Sequence, residues 1–423
     1  MKKNYSKLLL LFALGAMTIL GFSSCSSDDN STDATSLTSN EKEMKAAATQ
    51  YASSTVQATY APLSIKTGDL YDELKALRNK FVANPSSITQ SDIDKVCETF
   101  KDARSCYELS EAFLFGAATD FGIDPHIDTW PLDANGLAAS LTNKTQLSNL
   151  STNNEDDNIA YAAGKLGQEL LGFHGIEFIL FRNGANRTVA SLQANETDAA
   201  FKAINAQVSG KEELYYATAV AGDLRDRCWQ LEYAWNENAP ATHKARIESV
   251  ELPFIVNGGN NSYAQNLLKA TQAGSTYKTW QEVISTILVS GCQNISNEVA
   301  NTKIGNPYSG QNVNYIESPY SHRTFIDFKD NILSIQYSLY GGYGLASPSS
   351  TSIMAYIQRH NTAMATQLDN DLKSAVTALE TCQNTLGSFV NHINDQLVGK
   401  AQKAVQALDA DFTAAGNWFS TQK

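Results

Sequence analysis

Several common signatures are missing from this sequence, and each absence narrows the reading. There is no Cys-x-x-Cys, and the five cysteines after Cys25 (97, 106, 228, 292 and 382) are odd in number and irregularly spaced. That excludes a zinc knuckle and leaves no disulfide framework to read. Buried, half-hydrophobic thiols are expected instead, with one disulfide of unassigned pairing left open. There is no His-Glu-x-x-His, and besides His174 the histidines at 126, 243, 322, 360 and 392 are scattered. Basic residues are the minority, 32 Lys and Arg against 44 Asp and Glu, for a net charge of −12. Such a surface disfavours nucleic acid and anionic membrane and draws cations weakly. No block of like charge stands out, no internal repeat is visible, and few runs alternate strictly, so sheet content should be very low.

What is present begins with a leader. Lys2, Lys3 and Lys7 precede an apolar run from Leu8 to Phe22, then Ser23, Ser24 and Cys25. This is the layout of a secretory signal peptide, too short for a comfortable membrane span. A cysteine after small residues resembles a bacterial lipoprotein cleavage site, with residues 1–24 removed and Cys25 lipidated. Phe22 departs from the more usual leucine. Loss of three leader lysines takes the net charge to −15 and leaves 399 residues, enough for two domains. Residues 25–41 are polar, with Leu37 the one large aliphatic, and read as a flexible tether. Serines and aspartates after Cys25 resemble a surface-export signal, so the expected location is the outer membrane, on its periplasmic or its outer side.

The remainder reads as helix nearly throughout. Apolar spacing predicts helices over 41–82, with Pro62 kinking or splitting the segment, and from about 90 to Phe121. Others are expected over 157–181, 194–208 and 210–238, with Asn183-Gly184 as a helix stop. Further helices are expected at 259–273, 278–303, 321–340, 349–383 and 386–420. The break at Asn257-Gly258-Gly259-Asn260 suggests two helical bundles, 42–245 and 246–423.

One stretch resists this simple reading. In "GQELLGFHGIEFILFRNG", residues 167–184, an apolar helix carries His174 and Glu177 three positions apart, with glycines at 167, 172 and 175 and another at 164. Glycine costs about 0.8–1 kcal/mol per interior helix position relative to alanine. The spacing puts both ionisable groups on one face, within a stripe of Leu170, Leu171, Phe178 and Phe181. A carboxylate there must be paired, hydrogen-bonded or metal-bound. Two readings follow: an internal pair, with Glu177 served by His174, Arg104 or Arg323, or two ligands of a metal. The glycines would let a neighbouring backbone close on the histidine.

Gly172-Phe173-His174-Gly175-Ile176-Glu177 matches the Gly-x-His-x-x-Glu signature of the imelysin family. "ARSCYELSEAFLFG" (103–116) with "WPLD" (130–133), and "ESPYSHRTFIDFKDNILSIQYSLYGG" (317–342), resemble two further family blocks in the same order. The resemblance spans about 43–420. Leu114 stands where many members have arginine. The resemblance implies an all-α protein of two bundle-like domains with a site between them, in the cell envelope and linked to iron uptake. It also implies a class of metallopeptidases.

Candidate site residues follow. His174, Glu177, Glu111 and Glu317 are the expected metal or ligand site, with Gly172, Gly175, Tyr107, Asp133, Ser321 and Arg323 around it. Ser321 reads as the N-cap of a helix over 321–340, whose amides with Arg323 would suit a carboxylate or another anion. Asp120, Asp124 and Asp128 read as loop caps, and Asp133 stands out from them. Three functions compete: an envelope lipoprotein binding iron or an iron-bearing ligand with an envelope uptake partner, a metallopeptidase using His174 and Glu177 with iron or zinc, and a structural surface protein. Acidic charge and oxygen ligands suit iron, and membrane contact is expected through the lipid alone.

Overall fold

The computed structural model describes residues 37–422; the leader, Cys25 and most of the tether lie outside the described residues. Helix accounts for 71% of the described residues, and the strands among them are two of two residues each, Phe181–Arg182 and Ala185–Asn186. The all-α expectation therefore holds. None of the described helices is long and apolar enough to cross a membrane.

The body starts inside the expected tether. Thr38 and Glu41 form a capping box that opens the helix Ser39–Gln50, satisfying amides that a helix start leaves bare. A π-helical stretch, Tyr51–Gln57, leads into Ala58–Ala83, which runs unbroken through Pro62. The widened turn lies just before the proline and leads the helix into it without a split. Ala58–Ala83 packs along Gly210–Trp235 and Gln90–Glu108. Thr362–Leu386 and Gln396–Phe419 form an antiparallel pair, and Thr324–Tyr340 lies on the first of them.

Helices from the two expected bundles are interleaved. Ser39–Gln50 packs on Trp280–Ser285 and Ile353–His360, and Gln90–Glu108 packs on Thr324–Tyr340. From Thr38 onward the chain forms one compact unit. Contacts therefore cross the 245/246 line at several places, and the polar centre described below sits on that crossing.

Several expected helices are shorter than periodicity suggests. The one expected to reach Phe121 ends at Glu108; short turns follow, and Gly116 and Gly122 sit at positive φ. The 157–181 helix is three pieces, Glu155–Lys165, Gln168–Leu170 and Gly172–Leu180. Leu166, Gly167 and Leu171 are extended, and Gly172 has φ +65°. Asn183-Gly184 does not stop a helix. Both have positive φ and join the two short strands as a tight hairpin, the turn that Asn-Gly favours. The expected 349–383 helix divides at Asn361, which caps Thr362–Leu386.

Candidate functional site

The interior where these elements cross holds a dense set of charges. Spacing of three and four residues puts Arg104, Tyr107 and Glu108 on the inner face at the end of Gln90–Glu108. The turn Glu111–Phe113 follows. Ile123–Ile127 and the residue after it supply Asp124 and Asp128, and Gly172–Leu180 supplies His174 and Glu177. Lys303 ends the π-helical stretch Glu298–Lys303. The loop before Thr324–Tyr340 carries Glu317, Ser318 and Ser321, and that helix carries Asp327 and Asn331.

Arg104 is the hub, with 1% of its surface exposed. Its guanidinium pairs with Glu108 and Asp128, lies 3.1 Å from Glu317, and has Nε 3.9 Å from Asp327. Lys303 Nζ is 2.8 Å from Glu317 and 3.7 Å from Glu111, and donates to Asn331. His174 Nε2 lies 3.1 Å from Asp128 Oδ1 but is not aligned for a hydrogen bond and has no other partner. Its Nδ1 is 3.8 Å from Glu177 Oε2.

Glu177 Oε1 accepts from the Ser321 amide at 2.8 Å and the Ser321 hydroxyl at 2.6 Å. Ser321 therefore does not cap the helix, which starts at Thr324 without a side-chain cap. An anion does sit on that loop, and it is Glu177 of the same chain. Arg323 is not its counter-ion; it donates to Ser105 and lies 3.7 Å from Asp327.

The glycines now have separate reasons. A Cβ at Gly172 would lie 1.7 Å from the Ile127 carbonyl oxygen, so this position lets the His174 helix start against the segment that carries Asp128. A Cβ at Gly175 would lie 2.2 Å from Tyr216 Oη, whose hydroxyl donates to the Leu170 carbonyl.

Of the residues expected at the site, His174, Glu177, Glu111, Glu317, Tyr107, Ser321, Arg323, Gly172 and Gly175 meet in or around this centre. Asp133 does not; it is exposed and caps Ala134–Thr142 through the Gly136 amide. The reading of Asp124 and Asp128 as loop caps is corrected, since both point into the centre, and Tyr107 donates to Asp124 at 2.7 Å. Lys303 carried no signal in the sequence, and Asp327 and Asn331 lie in the 317–342 block without being singled out there. Asp124 and Asp128 did carry one, because they alternate with the buried Ile123 and Ile127 at helical spacing.

Seven carboxylates (Glu108, Glu111, Asp124, Asp128, Glu177, Glu317 and Asp327) face Arg104, Lys303, Arg323 and His174. Such an excess requires protons or a further cation. Burial, with Asp124 and Asp128 nearby, pushes the Glu111 carboxyl well above the carboxylate range against the pull of Lys303. Burial and then Asp128 push Asp124 up to about 6. Burial likewise raises Glu108 despite Arg104. Burial works against charge on His174, but Asp128 and Glu177 outweigh it and raise its pKa. Burial opposes the charge on Asp128 too, yet Arg104 and His174 hold it below its ordinary value.

Two carboxylate groups have oxygens within 4.8 Å of one another, Glu108–Asp128–Glu317 and Glu111–Asp124–Asp128. The Arg104 guanidinium already touches all three members of the first. The second is more open: Glu111 Oε1 is buried without a hydrogen-bond partner, and Asp124 is half-buried, on the solvent side. These residues fit a hard cation. His174 and Glu177 belong to neither group, and among the described residues no third carboxylate, thiol or imidazole joins them in a ligand set.

The chain as a whole is similar to known proteins. The family model described as Imelysin, which is labelled a peptidase family, matches residues 34–414. "Iron-regulated protein A" of Synechococcus elongatus is 25% identical over 291 residues, covering 69% of this chain. The chain spans 64% of that relative's length. The crystal structure of a putative iron-regulated protein A precursor from Parabacteroides distasonis superposes with TM-score 0.69 at 23% identity, over 91% of this chain and 97% of that one. An imelysin-like protein from Psychrobacter arcticum superposes at 0.52 and 12% identity, over 90% and 94%. At these identities the two structures speak to the fold alone.

Proposed function

The chain belongs to the imelysin family, and from that membership we propose that it is a cell-envelope lipoprotein which binds iron, free or carried by a ligand, in its buried acidic centre as part of iron uptake. The observation that carries this reading is the surplus of buried carboxylates over cations, with Glu111 Oε1 left partnerless beside Asp124 and Asp128. Hard oxygen donors suit iron better than softer-ligand metals. The name of the Synechococcus elongatus relative, an iron-regulated protein, points the same way. Glu111, Asp124 and Asp128 would hold the cation, with His174 against Asp128 and Arg104 fixing that carboxylate from its other side. Asp124 is the member nearest solvent and marks the side of entry. Residues from both expected bundles build the centre, in keeping with a site between them. Lipidation at Cys25 would hold the protein at the outer membrane beside an uptake partner.

The test is titration of the metal-stripped protein with ferrous ion and with ferric citrate, followed by calorimetry. Wild type should bind one of the two. Glu111→Gln with Asp124→Asn should keep its helical circular dichroism and bind at least about tenfold more weakly, the loss expected when two of three hard ligands go. A wild-type protein that takes up neither probe, or a double variant that binds as wild type does, sinks the proposal.

A further inference from the structure

Gly164 is the one glycine of the 164–175 group with no packing reason. It lies in the last turn of Glu155–Lys165, where glycine costs up to about 1 kcal/mol relative to alanine. A Cβ built there meets nothing within 4 Å. The missing side chain leaves space rather than admitting a neighbour. That space is part of a cavity of about 580 Å³ bounded by Glu155–Lys165, Gly210–Trp235 and Ala241–Ser249, a size typical of small-molecule sites.

Its walls are fixed in advance. Arg246 ties all three helices together. Its Nε and Nη2 donate to Asp226 at 3.1 and 2.8 Å, and its Nη1 donates to Asp156 at 2.7 Å. Inside, Nη2 of Arg227 makes no hydrogen bond among the described residues, while Nη1 donates to Gln230 at 3.2 Å and Nε is buried. Its nearest carboxylate, Asp223, is 3.6 Å away and is engaged through its other oxygen by His126 at 2.7 Å. At the rim Asp157 is exposed, and among the described residues no hydrogen bond or ion pair engages it. Asp157, Ala160 and Gly164 share one helix face by spacing, with Ile159, Val250 and Leu252 supplying apolar wall. A free guanidinium nitrogen, an unused carboxylate and an apolar surface together fit one kind of molecule.

We propose that this cavity binds a small apolar zwitterion of amino-acid type, one or two residues long. The carboxylate takes Arg227 Nη2 through a charge-assisted hydrogen bond. The ammonium takes Asp157, and the side chain lies over Ile159, Val250 and Leu252. The site is separate from the acidic centre and does not depend on iron binding.

The test is calorimetric titration of the purified protein with L-leucine and with the dipeptide Leu-Leu. At least one should bind. 4-Methylpentanoate, which lacks the ammonium, and isoamylamine, which lacks the carboxylate, should bind at least about tenfold more weakly, each losing one charged contact. Gly164→Leu fills open space in a helix, so it should melt at or above the wild-type temperature and abolish binding. Arg227→Gln should weaken binding at least about tenfold by the same reasoning. Failure of both probes to bind at millimolar concentration overturns the proposal. So does equal binding of 4-methylpentanoate, or unchanged binding by a folded Gly164→Leu.

Discussion

Single atoms set the tolerance of the helix that carries His174 and Glu177. Tyr216 Oη occupies the place a methyl group would take at Gly175, with the Leu170 carbonyl 2.9 Å from it. Gly175→Ala should therefore push the hydroxyl off Leu170 and leave a buried carbonyl short of its donor. Such a loss costs about 1–3 kcal/mol, read as a lower urea midpoint with unchanged slope. A wild-type midpoint would mean that the helix moves aside freely. A second expectation concerns the histidine–glutamate pair itself. His174→Gln with Glu177→Gln keeps hydrogen-bonding capacity and removes two buried charges, which is often neutral or stabilising. Because the pair stands beside the open carboxylate group rather than in it, the double variant should fold and weaken iron uptake less than Glu111→Gln with Asp124→Asn. The reverse order in calorimetry would move the cation onto His174 and Glu177.

At the scale of elements, the two-residue hairpin at 181–186 has a structural task. The Gly184 amide donates to the Tyr320 carbonyl at 2.9 Å, and Tyr320 precedes the serine that holds Glu177. Phe178 meets the Tyr320 ring edge-on at 5.0 Å, so the loop is held at two points. Gly184 has φ +81°, and a Cβ there would lie 2.5 Å from His322 Nδ1. Gly184→Val should cost about 1–3 kcal/mol through backbone strain and loosen the loop. Hydrogen exchange at the Ser321 amide should quicken at least about tenfold, as local opening becomes easier. Unchanged exchange there would show that the loop holds Glu177 without the hairpin.

For the whole molecule, buried acids set an uncommon pH response. Burial holds Asp124 and Asp330 up at about 6 and Glu213 at about 7, against ordinary values of 3.8 and 4.5. His174 is raised as well, by Asp128 and Glu177 against its burial. Each of these groups binds its proton more tightly folded than unfolded, so their stabilisation is present at low pH and is lost as pH rises through the folded values. His322, lowered by burial, opposes them. Asp92 and Glu196, both held near 2, withdraw their support only below their unfolded values. The metal-free protein should therefore melt a few degrees higher at about pH 5 than at about pH 8, and added iron should narrow that gap from the alkaline side. A melting temperature that climbs steadily towards pH 8 would show that these acids are solvated. At the same scale, Cys25→Ala should release the protein from the membrane fraction; a variant that fractionates like wild type has another anchor.

The sequence by itself determined the helical class, because apolar spacing near 3.6 residues needs no knowledge of neighbours. It also picked out His174 and Glu177, because charges in an apolar stripe are anomalous wherever the stripe packs. It named Glu111 and Glu317 through resemblance to a family rather than through spacing. Only the tertiary structure decided what these residues touch. Beyond Glu108 on its own helix, Arg104 gathers Asp128, Glu317 and Asp327 from other segments, and Lys303 reaches Glu111 and Glu317; those partners are distant in the chain and leave no local pattern. Asp128 looked like a turn residue because its burial comes from the Gly172–Leu180 helix closing on Ile127, some 45 residues away along the chain. Gly172, Gly175 and Gly164 looked alike for the same reason. One admits a backbone, one a hydroxyl and one empty space, and a glycine's neighbours exist only once the chain has folded around it.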